Sequence, residues 1–271
     1  MENNGIRTLL IAAIVIGLAA GAWLFKDVWM PAEPIPAEPA PQADSAEPDV
    51  PLDPVYPVAP IEPRTDDGEL IPLPPLEDSD EYFVLALIDL FGADLEDMLA
   101  DELLIERTVG TTDNLARGRV PERIRPVGRL PGSFMVSGSD ETTGYFINPE
   151  NFARYDGVVT MLERAPVTDL MDTYRRFYPL LNEAYQLLGY PDAHFNDRVV
   201  EVVDLLLATP VPDGPIELTR EKVLYEYRDP RLEALSGGQK MLVRMGPANA
   251  ERVKSALRAL RAELTATPGP N

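Results

Sequence analysis

The segment "YPDAHFND" places His194, the only histidine of the chain, beside Asp192, Asn196 and Asp197, with Glu201 and Asp204 a few residues further on. An imidazole among carboxylates can hold a metal ion or share a proton in acid and base catalysis. On a helix, Glu201 and Asp204 would face the same way as Asp197, the kind of carboxylate pair that flanks a glycosidic bond in hydrolases. A structural reading is also open. Asp192 and Asp197 follow Pro191 where a helix would begin and suit capping, and a single histidine is commonly a packed residue with one hydrogen bond. No "GxSxG" elbow supplies a nucleophile for His194, and one imidazole excludes any site that needs two.

Charge forms a second pattern. Residues 77–106 hold eleven acids and no base, and residues 107–129 then hold six arginines against two acids. Arg107, Arg117, Arg119, Arg123, Arg125 and Arg129 could receive phosphate, carboxylate or lipid head groups through bidentate hydrogen bonds. The nearest anions are the chain's own, so pairing with the preceding acidic helices or with the acidic linker is the alternative.

A third pattern is "LSGGQK" at residues 235–240, whose first five letters match the signature loop of ABC-type ATPases. Such a loop acts on a phosphate already held by a glycine-rich turn ending in Gly-Lys-Ser/Thr. No Gly-Lys pair occurs in the chain, and no parallel-sheet pattern is present to carry the loops. The expectation is a turn, with Gly237 and Gly238 closing one short helix and admitting another near Gln239.

The elements that would carry these residues are mostly helical. "LEDSDEYFVLALIDLFG" opens with Ser79 as an N-cap and closes at Gly92, and its nearly continuous apolar run predicts a buried helix. A second acidic helix is expected over residues 94–109 on a stripe of Leu95, Met98, Leu99 and Ile105. "FMV" at Phe134 and "YFI" at Tyr145 predict a β-hairpin, and residues 216–227 a short extended pair. Helical periodicity returns over Phe152–Leu162 and Leu170–Leu188, the latter kinked at Pro179, then over residues 197–208 and 247–264. The fold class is therefore mainly α (α+β), a compact multi-helix domain with one or two small β-hairpins.

Composition divides the rest. Residues 31–75 contain 14 of the 28 prolines and ten carboxylates against Arg64 alone, too little apolar surface to offset ordering entropy. Eighteen uncharged residues from Thr8 to Phe25 reach about 27 Å as a helix, enough to span a bilayer core. Arg7 precedes them and acid-rich sequence follows, so the N-terminus is expected in the cytoplasm and the remainder outside. Trp23 and Trp29 would lie at the far interface, and Gly17 and Gly21 form a small-xxx-small face for a possible homodimer. "AGA" at residues 20–22 would suit a signal peptidase, but the apolar run continues through Phe25, as an anchor's does. The expected plan is an anchor over residues 1–30, a disordered linker over 31–76, a helical domain over 77–264 and a tail over 265–271. The net charge of −21 makes a nucleic-acid partner a poor fit, and the absence of cysteine excludes disulfides and thiolate metal sites. No cofactor, no metal and no catalytic residue are expected.

Several stretches in order, "LPPLEDSD" at Leu73, "TTDNLARGRVP" at Thr111, "NPENFARYDGVV" at Asn148, "YRRFYPLLNEAYQLLGYPDAHFNDRVVEVVDLLLATP" at Tyr174 and "KVLYEYRDPRLEALSGGQKMLVRMGPANAERVKSALRALR" at Lys222, resemble the bacterial family known as domain of unknown function 3014. The resemblance spans about residues 73–264. It implies a single-pass protein with a Pro-rich segment before its domain and brings no activity, substrate or catalytic residue. The expected function is that of a bacterial inner-membrane protein presenting a periplasmic domain for binding or scaffolding. Its expected partners are the membrane and an envelope protein or glycan. The alternative is an envelope hydrolase using carboxylates or a metal near His194.

Overall fold

The computed structural model describes residues 53–62, 71–128, 132–140, 144–220 and 225–266. The Thr8–Phe25 run with Gly17 and Gly21, most of the Pro-rich stretch, and Arg129 lie outside them. In chain order the elements are α1 (Asp80–Phe91), α2 (Leu104–Leu115), β1 (Val136–Asp140), β2 (Gly144–Ile147), α3 (Glu150–Ala153), α4 (Asp156–Arg164), α5 (Val167–Leu187), α6 (Phe195–Leu207), β3 (Glu217–Thr219), β4 (Glu226–Tyr227), α7 (Pro230–Glu233), α8 (Gly237–Arg244) and α9 (Gly246–Leu264). The class is the mainly helical one expected. The two small hairpins join into one antiparallel sheet of order β1-β2-β3-β4, because Tyr145 and Phe146 pair with Leu218 and Glu217. Among the described residues, no helix is long and apolar enough to cross a membrane.

Helix α2 is the hub, packing against α1, α5, α6 and α8. It begins ten residues later than the apolar stripe predicts. Ala93–Met98 forms a 3-10 helix instead, and Leu99 leaves the helical path to bridge Val127. The physical reason lies at Leu103, held at φ 57°, a left-handed conformation that stops a helix entering from the N-terminal side. The Asp80 carboxylate then accepts the amides of Leu103 at 2.6 Å and Leu104 at 2.8 Å, capping α2 from 24 residues away. Buried Thr108, Thr111 and Thr112 give α2 no clean apolar period. Two of their hydroxyls are satisfied locally, Thr112 by the Thr108 carbonyl and Thr111 by that of Ile124.

Helix α1 matches its predicted span, closing at Gly92 with φ 92°, but it is buried on one side only. Phe83 and Leu87 enter the core while Tyr82 and Leu85 are exposed. Ser79 does not cap α1; its hydroxyl donates backwards to the Leu76 carbonyl at 2.7 Å. Phe83 meets Phe177 of α5 edge to face at 5.1 Å, an arrangement that contributes about 1 kcal/mol beyond area burial.

Helix α5 continues through Pro179 as one helix, Val167–Leu187. Proline has no N–H, so the Arg175 carbonyl lacks its usual intrahelical donor. The amide of Ile61, from the Pro-rich stretch, supplies one at 3.4 Å. The β-branched run of α6 forms a helix, as predicted from its length, and buries Phe195, Val199, Val202, Val203 and Leu206 toward α2 and α9.

A smaller core of Ile147, Ile216, Leu218, Tyr227 and Val243 lies between the sheet and α8. Gly246 lets α8 pass directly into α9: its φ is 78°, and a Cβ there would stand 2.5 Å from the Phe152 ring.

Candidate functional site

The carboxylates of "YPDAHFND" and its continuation do not converge. Asp197 accepts the amides of Val55 at 3.0 Å and Tyr56 at 2.8 Å. Glu201 pairs with Arg198 at 2.7 Å, and Asp204 pairs with Arg261 of α9. His194 stands half-buried at the N-cap position of α6, where its extended backbone, not its side chain, begins the helix. Asp192 is half-buried in the turn before it. Among the described residues, no group of three or more His, Asp or Glu side chains could hold a metal ion.

Instead α2 and α6 bring together Asp113, Arg117, Tyr190, Arg198 and Glu201. Arg198 donates Nε to the Asp113 carboxylate at 3.0 Å and Nη2 to the Asp113 main-chain carbonyl at 2.9 Å. Arg117 reaches the other carboxylate oxygen at 2.8 Å and also the Tyr190 hydroxyl at 2.7 Å. Burial opposes the Arg198 charge, but Glu201 and Asp113 outweigh it and hold its pKa above the ordinary value. Tyr190 stacks on Tyr185, whose phenol is pushed up to about 12, chiefly by burial. Of this cluster, sequence reasoning singled out only Arg117 and Glu201. The i, i+4 spacing of Asp113 and Arg117 was the available signal for the rest.

Two of the predicted arginines brace the connection that follows α2. Arg107 donates to the carbonyls of Glu102 at 2.8 Å and Arg123 at 2.6 Å, and Arg125 is buried and donates to the Val120 carbonyl at 2.7 Å. With Arg117 on Asp113, these partners are mainly peptide carbonyls, not the acidic helices upstream. Arg119 and Arg123 are exposed at the surface.

A turn separates two helices here as expected, α7 ending at Glu233 and α8 beginning at Gly237, but the glycines open α8 instead of closing α7. Ser236 and Gln239 make a reciprocal capping box at 3.2 Å each way, and both glycines lie within the first turn of α8. The Gly237 amide donates to the Arg117 carbonyl at 2.6 Å. A Cβ on Gly238 would meet Leu206 at 2.8 Å and the Leu115 carbonyl at 3.0 Å. The glycines are therefore there for close packing against the end of α2, and the Gly237 amide is taken by a protein carbonyl.

An open cavity of about 560 Å3 lies where β1, β2 and the loop before β3 meet α3 and the α8–α9 junction. Phe146, Ile147, Phe152, Ile216 and Pro247 line it, with Ser137 as a polar contribution at its wall. None of its lining side chains is titratable.

A family model described as "Protein of unknown function (DUF3014)" matches residues 104–261, and the chain belongs to that family. The match begins at the first residue of α2 and ends near the last turn of α9, so it covers the hub, the sheet and most of the main core, but not α1. Neither the curated proteins nor the solved structures contain a match.

Proposed function

We propose that the chain is a single-pass bacterial inner-membrane protein whose helical domain acts in the periplasm as a binding module, taking an apolar side chain of a partner envelope protein. The observation that supports binding over chemistry is the cavity beside the sheet. Its volume is that of a ligand pocket, and its lining of phenylalanine, isoleucine and proline offers apolar surface, with Ser137 the one hydroxyl and no titratable group beside it. The membrane placement rests on the uncharged Thr8–Phe25 run, with Arg7 before it and Trp23 and Trp29 near its end. A hydrolase working from Asp192, His194, Asp197 and Glu201 has less support, because Asp197 and Glu201 are engaged by different partners.

Photocrosslinking in living cells tests the proposal. A photoreactive residue at exposed Pro149, on the cavity wall, is expected to capture an envelope protein, and filling the cavity with Ser137→Trp is expected to abolish capture. Capture that is indifferent to Ser137→Trp, capture of a glycan, or no capture contradicts it.

A further inference from the structure

Residues 53–62 of the Pro-rich stretch lie along the domain, bent at Val55 and Tyr56, with alternating exposure. Pro54, Tyr56 and Val58 turn inward and are half-buried, while Asp53, Val55, Pro57 and Ala59 face out. Tyr56 and Val58 pack against the main core. The backbone is gripped at both ends. Asp197 of α6 accepts two successive amides, those of Val55 and Tyr56. Its neighbour Asn196, fully buried, donates Nδ2 to the Tyr56 carbonyl at 2.8 Å while its Oδ1 accepts the Tyr174 hydroxyl. Five residues on, the Ile61 amide fills the Arg175 carbonyl that Pro179 leaves without a helical donor.

These contacts have the form of peptide recognition: backbone hydrogen bonds fix the register, and alternate side chains select the sequence. Pro54, Pro57 and Pro60 carry no N–H, so residues 54–61 have five backbone amides, at Val55, Tyr56, Val58, Ala59 and Ile61. Three of the five are bonded into the groove. The prolines restrict the unbound segment toward extended conformations, which lowers the entropy lost on docking. Asp197 and Asn196, adjacent at the start of α6, thus have a shared use that neither helix capping nor catalysis accounts for.

We propose that the groove formed by α5, α6 and the end of α9 is a recognition site for a Pro-x-Tyr-x-Val segment bent where Asp197 takes its two successive amides, and that its occupant is the chain's own residues 54–58, docked in cis. For a membrane-anchored chain, which rests on the placement proposed above, docking fixes how far the domain reaches. The number of residues between the proposed anchor and the first docked contact falls from 45 to 22, a greatest reach of about 70 Å in place of about 140 Å.

Hydrogen exchange of the full-length protein in detergent micelles tests the docking without reference to membrane orientation, so its failure is distinct from failure of that placement. The peptide containing residues 54–61 is expected to exchange with about tenfold or greater protection at Val55, Tyr56 and Ile61. Tyr56→Ala, which lies outside the helical core, is expected to remove that protection while the exchange of α2, α5 and α6 is unchanged. Asp197→Ala should release Val55 and Tyr56 even where Ile61 stays protected. Free-chain exchange of this peptide in the unaltered protein overturns the proposal. So does protection that disappears on dilution, because the occupant would then come from a second copy.

Discussion

Arg198 binds Asp113 twice, at the carboxylate through Nε at 3.0 Å and at the main-chain carbonyl through Nη2 at 2.9 Å, tying the end of α2 to the start of α6. The Asp113 side chain is 3% exposed and that of Arg198 15%, so neither charge has water to fall back on. Asp113→Ala is expected to lower stability by about 2–3 kcal/mol, measured by urea unfolding, because the Arg198 guanidinium keeps only exposed Glu201 and the main-chain carbonyl of residue 113 as partners. The double variant Asp113→Leu with Arg198→Met is expected to lose far less than the sum of the single changes. Additive losses contradict a coupled pair.

Gly238 packs where a methyl group has no room, with Leu206 and the Leu115 carbonyl within 3.0 Å of a built Cβ. Gly238→Ala is expected to cost about 1–3 kcal/mol, and Ser236→Ala about 1 kcal/mol through the lost cap. Calorimetric titration with Mg-ATP is expected to show no binding. A neutral Gly238→Ala, or nucleotide binding that Gly238→Ala abolishes, would restore a phosphate-loop role.

Leu103 is half-exposed in a left-handed conformation, so its side chain contributes little burial to set against backbone strain. Leu103→Gly is expected to be neutral or to stabilise the fold by up to about 1 kcal/mol, against the usual penalty for glycine beside a helix. Asp80→Ala is expected to cost about 1–2 kcal/mol, because the amides of Leu103 and Leu104 lose their acceptor. Thermal unfolding of the two variants checks the opposite signs.

Burial pushes the phenols of Tyr178 and Tyr185 up to about 12, and those of Tyr155, Tyr174 and Tyr227 are raised for the same leading reason. An unfolded tyrosine titrates near 10, so above that pH the unfolded chain releases protons that the folded chain retains. This stability is fully present below about pH 10. For Tyr178 and Tyr185 it is lost progressively as the pH rises from about 10 to about 12. Melting temperatures measured from pH 8 to 11.5 are expected to hold and then drop steeply, and less steeply in Tyr178→Phe. A flat profile to pH 11.5 contradicts the burial.

Long periodic segments were legible in the sequence: α5, α6 and α9 appear within a few residues of their predicted ends, because their stripes face one core. Helix α2 was not. Its buried face mixes threonines and Asp113 with Leu104, Ile105, Val109 and Leu115, and its start is set by Asp80, too distant in sequence for a local pattern to reveal. Asp197 was singled out, but its partners lie 141 and 142 residues upstream in a segment whose composition argued against order. The joining of two hairpins into one sheet was hidden for the same reason, since Tyr145 meets Leu218 only through the tertiary fold.

The chain lacks cysteine, and Leu187 at the end of α5 is 73% exposed, so Leu187→Cys creates one accessible thiol on the domain. Labelling that thiol with a membrane-impermeant maleimide, in cells whose outer membrane alone is permeabilised, reports on which side of the inner membrane the domain stands. A periplasmic binding module is expected to label as fully before inner-membrane lysis as after it. Labelling that appears only after lysis would place the domain in the cytoplasm and contradict the proposed function.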